Sequence, residues 1–415
     1  MKKVKLKDVL TEIIDFSSKA KYSGRSNITS ERYIPTLSAL SVHNNFIDYS
    51  KCYYVTLNEY KEMTSNRIPK IGDILLTKEA PVGRVAMLDK DNIAIGRRLW
   101  LLTGKENILD NNYLLYFLQW NKTQKLLKSI SGGSTVKSVN INSFKNIEVN
   151  IHSYEEQIKI GHILSLIDKK INLNNKINDN LEKQIMKIYD EWFIKFNFPS
   201  NQNFHNKTKN KISTTSSFPS TWEIQQLNNN VLCSIIPSGI EKFEGEKIYY
   251  PTKSLQNKSI KDGERITYKN RKTRADMHPI KNSVWFAKMK DTKKHLFISE
   301  NMDFIINDSI LSTGFCGLLC NKNSFEYISS IVMNSNFEEK KNFLSHGATQ
   351  QAINIDDLSN IEITIPDKET LNKYHSLTKP LFLKITENII ENRKLSSLKE
   401  ILLPLLMNGQ VTIED

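Results

Sequence analysis

The chain has 415 residues, 39% hydrophobic and 25% charged, with 58 Lys or Arg against 45 Asp or Glu and a formal charge of +13. That length predicts two or more domains, the composition excludes a disordered chain, and the excess positive charge favours a polyanionic partner. The longest apolar runs, such as Leu114 to Leu118 and Ile401 to Met407, fall far short of a membrane span, and Met1-Lys2-Lys3-Val4-Lys5 lacks a secretory apolar core, so a cytoplasmic protein without a membrane partner is expected.

In chain order, residues 1–152 form a first globular unit. Short apolar runs such as Ile71-Gly-Asp-Ile-Leu-Leu76 predict strands, and Tyr113 to Leu127 predicts helix. The candidate nucleic-acid contacts here are Lys78, Arg84, Arg97 and Arg98. A long helix is expected over 153–196. Its positions Ile160, Leu164, Ile167, Ile171, Asn174, Asn178, Leu181, Ile185, Ile188 and Trp192 alternate steps of four and three, the spacing of a coiled-coil seam. Residues 197–220, rich in Asn, Lys, Ser and Thr, read as a linker.

A second globular unit spans 221–366, with Ser283-Val-Trp-Phe286 as one predicted strand. From Lys253 to Lys294 it holds thirteen Lys or Arg against four Asp or Glu. The candidate contacts are Lys253, Lys258, Lys261, Arg265, Lys269, Arg271, Lys272 and Arg274, then Lys288, Lys290, Lys293 and Lys294. Arginine can grip guanine with two parallel hydrogen bonds, whereas most lysines neutralise phosphate.

Ser131 to His152 lies over Ser345 to Pro366 at a constant offset of 214 without a gap, and nine of the 22 positions are identical. About one or two matches would arise by chance. The same offset carries the helical stripe onto Tyr374, Thr378, Leu381, Ile385, Asn388, Asn392, Leu395, Lys399, Leu402 and Leu406 in a second long helix over 367–409. Pro380, unfavourable in a helix interior, marks an expected start for that helix, and Lys399 breaks its apolar pattern. Polar seam residues fix register. Paired antiparallel, the helices bring Asn174 and Asn178 beside Asn392 and Asn388. A helix of such length would extend roughly 60 Å. The fold class is therefore mixed α+β, with twisted sheets and helices in two domains separated by an antiparallel coiled coil, pseudo-two-fold.

Catalytic signatures are missing. The sequence holds no Pro-Pro pair for a flipped-base pocket and no Gly-x-Gly-x-x-Gly loop. Gly132-Gly-Ser-Thr-Val-Lys137-Ser138 lacks the glycine before the lysine of a phosphate loop, and its repeat has Gln351 and Ala352 instead. Cys52, Cys233, Cys316 and Cys320 are too scattered for a disulfide framework; Cys316 and Cys320 read as buried strand thiols, and no metal or catalytic set is expected.

The duplicated plan, each variable domain followed by a regular helix, resembles the specificity subunit of type I restriction-modification systems over essentially the whole chain. Gly72-Asp-Ile-Leu-Leu-Thr-Lys78 with Val82-Gly-Arg-Val-Ala86 is similar to a phrase of its target-recognition domains, as are Val284-Trp-Phe-Ala-Lys-Met-Lys290 and Leu311-Ser-Thr-Gly-Phe315. Phe218-Pro-Ser-Thr-Trp222 opens the second domain, and the first lacks the matching tryptophan. The resemblance implies a non-catalytic subunit that reads an asymmetric bipartite site in double-stranded DNA. It implies two methyltransferase subunits and restriction subunits as partners. It places S-adenosylmethionine, ATP and Mg on those partners, for adenine N6 methylation and DNA cleavage, with no cofactor on this chain. The alternative is a solitary DNA-binding or partner-sequestering protein without an active restriction partner.

Overall fold

Apolar runs bounded by turns build one four-stranded antiparallel sheet in each half of the chain, as the computed structural model shows for residues 1–16, 28–133, 136–199, 218–256, 259–260 and 263–413. Two compact units result. The first comprises Met1–Asn172 and Lys394–Asp415, and the second Leu173–Arg393.

In the first unit the sheet order is Leu10–Asp15, Leu99–Gly104, Ile74–Thr77 and Val85–Met87. Ile74, Leu76 and Trp100 face one core while Leu75, Leu99 and Leu101 face another, so both faces are covered and the strands read as unbroken apolar runs. A smaller sheet holds Arg32–Leu37 between antiparallel Tyr53–Thr56 and parallel Ala94–Ile95.

The second unit repeats this topology. Its main sheet runs Cys233–Ile235, Phe315–Cys320, Ser283–Ala287 and His295–Ile298. Its second sheet holds Lys247–Tyr250 between antiparallel Glu264–Ile266 and parallel Ser309–Ser312, with Ala275–Met277 added beyond.

The structural repeat reaches well beyond the 22 residues legible in the sequence. Helices Asn111–Gln119 and Phe325–Met333 start 214 apart, as do Asn121–Ser129 and Ser335–Leu344. Only Tyr113 and Tyr327 are identical among the first twenty residues of this stretch, and both hydroxyls donate at 2.7 Å to matching carbonyls, Asn150 and Thr364. Gly133 and Gly347 hold left-handed φ of +121° and +133°. A Cβ would lie 2.4 Å from the Val136 oxygen in one turn and 2.7 Å from that of Gln350 in the other, which accounts for glycine in both.

Each repeat closes on an edge pair. Lys2 faces Ile151 across one pair and Glu223 faces Ile365 across the other. Met1 therefore stands where Trp222 stands. The Trp222 indole donates to Asp367 at 2.8 Å and stacks on Phe198 with centroids 5.0 Å apart.

The two long helices are Tyr154–Tyr189 and Lys368–Met407. The second does not start at Pro380. It begins twelve residues earlier and runs through the proline. Loss of one backbone bond there, about 3 kcal/mol, is outweighed by burial of Leu371 and Tyr374 in the second core, and the Thr378 hydroxyl bonds back to the Tyr374 carbonyl at 2.8 Å. Within the first unit, Ile160 and Leu164 share a core with Leu403 and Leu406. Within the second, Ile185 and Tyr189 share one with Tyr374 and Ile385.

The predicted asparagines meet inside the second unit. Asn174 donates to Asn392 at 2.9 Å, and Asn388 donates to Asn178 at 2.7 Å. The 214 offset maps one contact onto the other. Replacing Asn178 and Asn388 together by leucine is expected to raise stability by about 1–2 kcal/mol at the expense of register specificity, whereas Asn388→Leu alone lowers it by leaving Asn178 buried without its donor. Thermal melting of the purified variants checks both signs.

Candidate nucleic-acid interface

The strand Ile74–Thr77 turns back into Val85–Met87, and Ser283–Ala287 turns back into His295–Ile298, through hairpins that bear six of the predicted contacts. Backbone bonds fix the equivalence. Thr77 N–H donates to Arg84 O at 2.9 Å and Ala287 N–H to Lys294 O at 3.0 Å. Lys78 O accepts from Val139 at 2.9 Å, and Lys288 O accepts from Ile353, the repeat partner of Val139, at 3.0 Å. Lys78 thus matches Lys288, and Arg84 matches Lys294.

The second of these pairs does matched structural work. Arg84 Nη1 donates weakly to the Ala39 and Val42 carbonyls at 3.5 and 3.4 Å, and Lys294 Nζ donates to the Thr252 carbonyl at 2.8 Å. Ala39 and Thr252 each lie two residues past the matched end of a parallel pair, Leu37 with Ile95 and Tyr250 with Leu311. Each cation therefore ties the following loop to the hairpin. Lys78 is bound to Asp15 at 2.5 Å, and Asp15 also accepts from the Trp100 indole at 3.0 Å. Lys290 donates to the Gln351 side chain at 2.8 Å, Lys288 is half-buried, and Lys293 is exposed. Arg97 and Arg98 are exposed, with Arg98 Nε 3.2 Å from Glu79.

The helix beneath each hairpin holds it from a matched position. Gln124 Nε2 donates to the Gly83 carbonyl at 2.8 Å. Its repeat partner Glu338 contacts His295 at 2.8 Å and Lys341 at 2.8 Å. Burial pushes the Glu338 carboxyl up, and hydrogen bonds from His295 and Lys341 more than offset this, leaving it below the usual range. Lys341 is wholly buried and donates to the Thr292 and Ala287 carbonyls at 2.9 and 3.2 Å. A reading of charge along the sequence misses it, because nothing there separates a buried lysine from a solvated one.

The remaining candidates form an arm of the second unit. Lys253 and Lys272 lie 4.0 and 2.5 Å from Glu264, and Arg265 lies 3.2 Å from Glu246. Lys269 and Arg274 are exposed. The guanidinium of Arg271 stacks 4.3 Å from the Tyr268 ring centroid and reaches Asp276 at 3.4 Å. Lys258 and Lys261 lie outside the described residues.

Cys316 and Cys320 sit buried on one strand, as expected, and burial pushes the Cys316 thiol up to about 12. Among the described residues, no group of three or more His, Cys, Asp or Glu is placed to hold a metal, and no helix is long and apolar enough to cross a membrane. What the geometry offers is cationic side chains on rigid hairpins and an arm, fit for phosphates and base edges.

The type I restriction modification DNA specificity domain family matches residues 1–183. The type I restriction enzyme MjaIX specificity subunit of Methanocaldococcus jannaschii is 27% identical over 87% of this chain and 82% of its own length. The HindI specificity subunit of Haemophilus influenzae is 23% identical over 82% of this chain and 87% of its own. In fold, the chain is similar to the S subunit of a type I restriction-modification system from M. genitalium, with a TM-score of 0.54 and 13% identity over 98% of this chain and 95% of that one. The matched family covers the first repeat, the second repeat shares its topology, and the relatives extend along both, so the chain is similar to the type I restriction-modification specificity subunits along most of its length.

Proposed function

We propose that the chain selects an asymmetric, bipartite site in double-stranded DNA, one half per recognition domain, and delivers it to two adenine methyltransferase subunits and to restriction subunits in the cytoplasm. The observation that carries this reading is the pair of domains with one topology and unlike cations. Equivalent scaffolds that present different side chains read different bases, so the half-sites differ. The charge of +13 favours the phosphate backbone whatever the sequence. Methyl transfer from S-adenosylmethionine and ATP- and Mg-dependent cleavage belong to the partners, and this chain supplies the choice of site.

Mapping N6-methyladenine across the host genome tests the reading. A split motif is expected that vanishes when the gene is deleted, and the tagged chain is expected to recover two methyltransferase copies. Methylation indifferent to the deletion would overturn the proposal, as would a tagged chain recovered alone.

A further inference from the structure

Of the cations at matched positions, Arg84 and Lys294 are occupied by matched scaffold bonds and Lys78 by Asp15, so discrimination is sought where the units diverge. In the first unit, strand Tyr53–Thr56 leads into helix Leu57–Met63, which carries Glu59, Lys61 and Glu62. In the second, the matching strand Glu264–Ile266 leads into a turn and the added strand Ala275–Met277, with Lys269, Arg271, Lys272 and Arg274 along it. Among the described residues, this arm has no counterpart in the first unit. Its backbone is anchored, with Gly239 N–H donating to Asp276 O at 2.8 Å and Thr313 N–H to Arg274 O at 2.9 Å.

Within the arm, Arg271 differs from its neighbours. The Arg265 and Lys272 side chains are 79% and 61% exposed, whereas that of Arg271 is 27% exposed. Tyr268, itself packed on Phe243 with centroids 5.7 Å apart, provides the platform for the guanidinium. Nη1 reaches the Tyr268 carbonyl and Nη2 the Asp276 carboxylate, each at a loose 3.4 Å, and Nε is buried without a hydrogen-bond partner. The plane is held while its donors are poorly used. A flat, permanently charged fork fixed in advance matches the O6 and N7 acceptors of guanine in the major groove, and little side-chain freedom remains to be lost on binding.

We propose that Arg271 is the guanine-reading residue of the second unit, an inference that rests on the DNA-selecting function proposed above. Lys269, Lys272 and Arg274 then serve phosphates. The test replaces the chromosomal allele by R271K or R274K and maps N6-methyladenine in each strain. R271K keeps the charge and loses the fork. It is expected to relax preference at one guanine in one half of the motif by roughly 10- to 100-fold, with the other half intact, while R274K, at a phosphate contact, lowers methylation evenly across sites and relaxes no base. The melting temperature of purified R271K is expected to match the parent. A motif indifferent to R271K, or a second half-site without guanine, overturns the assignment. So does loss of the whole motif with a lowered melting temperature, which would make Arg271 structural. A parent strain with no split motif overturns the proposed function and the arginine's part in it together.

Discussion

Replacing Lys399 alone by isoleucine is expected to destabilise the first unit by about 3–5 kcal/mol, because it strands a shielded carboxylate. Lys399 Nζ lies 2.8 and 2.7 Å from the two oxygens of Asp168, and the side chains are only 13% and 14% exposed. Burial pulls the Lys399 ammonium below its usual range, and Asp168 opposes that pull. The Tyr116 hydroxyl also donates to Asp168, at 2.8 Å. At the 214 offset the second unit holds Ile185 in place of Lys399 and Phe382 in place of Asp168, both buried in its core. The double variant Lys399→Ile with Asp168→Phe is therefore expected to recover most of the loss, short by about 1 kcal/mol for the Tyr116 hydroxyl left without an acceptor. Hydrogen-exchange protection across residues 160–168 reads both variants. A single variant as stable as the parent would show that the pair contributes nothing.

Lys341→Met is expected to cost the second unit about 3 kcal/mol and to weaken DNA binding, although Lys341 is 0% exposed and cannot touch DNA. Methionine fills most of the stem's volume and removes three donors. Glu338 is left with His295 alone, and the Ala287 and Thr292 carbonyls lose the buried ammonium. The hairpin from Ala287 to His295 keeps its tie to Asn342, which accepts from Asp291 N–H at 2.9 Å, and its contact from His295 to Glu338. In the first unit, Gln124→Ala removes the matching tie to Gly83 and is expected to cost about 1 kcal/mol, since no charge is stranded. Calorimetry of the two variants, with binding to duplex DNA at fixed salt, separates the effects. Equal melting shifts would remove the distinction drawn between a buried ionic clamp and a neutral one.

The parts of this fold legible in the sequence are those that repeat side chains. Asn174, Asn178, Asn388 and Asn392 stood at one seam register, and they meet as the spacing implied. The helices at 111–129 and 325–344 carry the same backbone with almost no shared identity, because a covered helix needs only an apolar face of suitable volume. Lys399 looked like a defect in its stripe because Asp168 lies beside the other stripe rather than on it. Among the site candidates, charge located the arm and the hairpins. It could not distinguish Arg84 and Lys294, whose acceptors are backbone carbonyls far along the chain, from Arg271, whose platform is three residues away.

The division of the chain has a consequence for the order in which it takes shape on the ribosome. The second unit is one continuous stretch, Leu173–Arg393, while the first requires Lys394–Asp415 to join Met1–Asn172, which are made before the second unit. Leu403, Leu406 and Met407 complete the core around Leu164, so that core stays open until residues 403–407 have been made, after the whole of the second unit. The half made later is thus able to finish first, and the earlier half waits with apolar surface uncovered, the interval in which chaperone binding and proteolysis act.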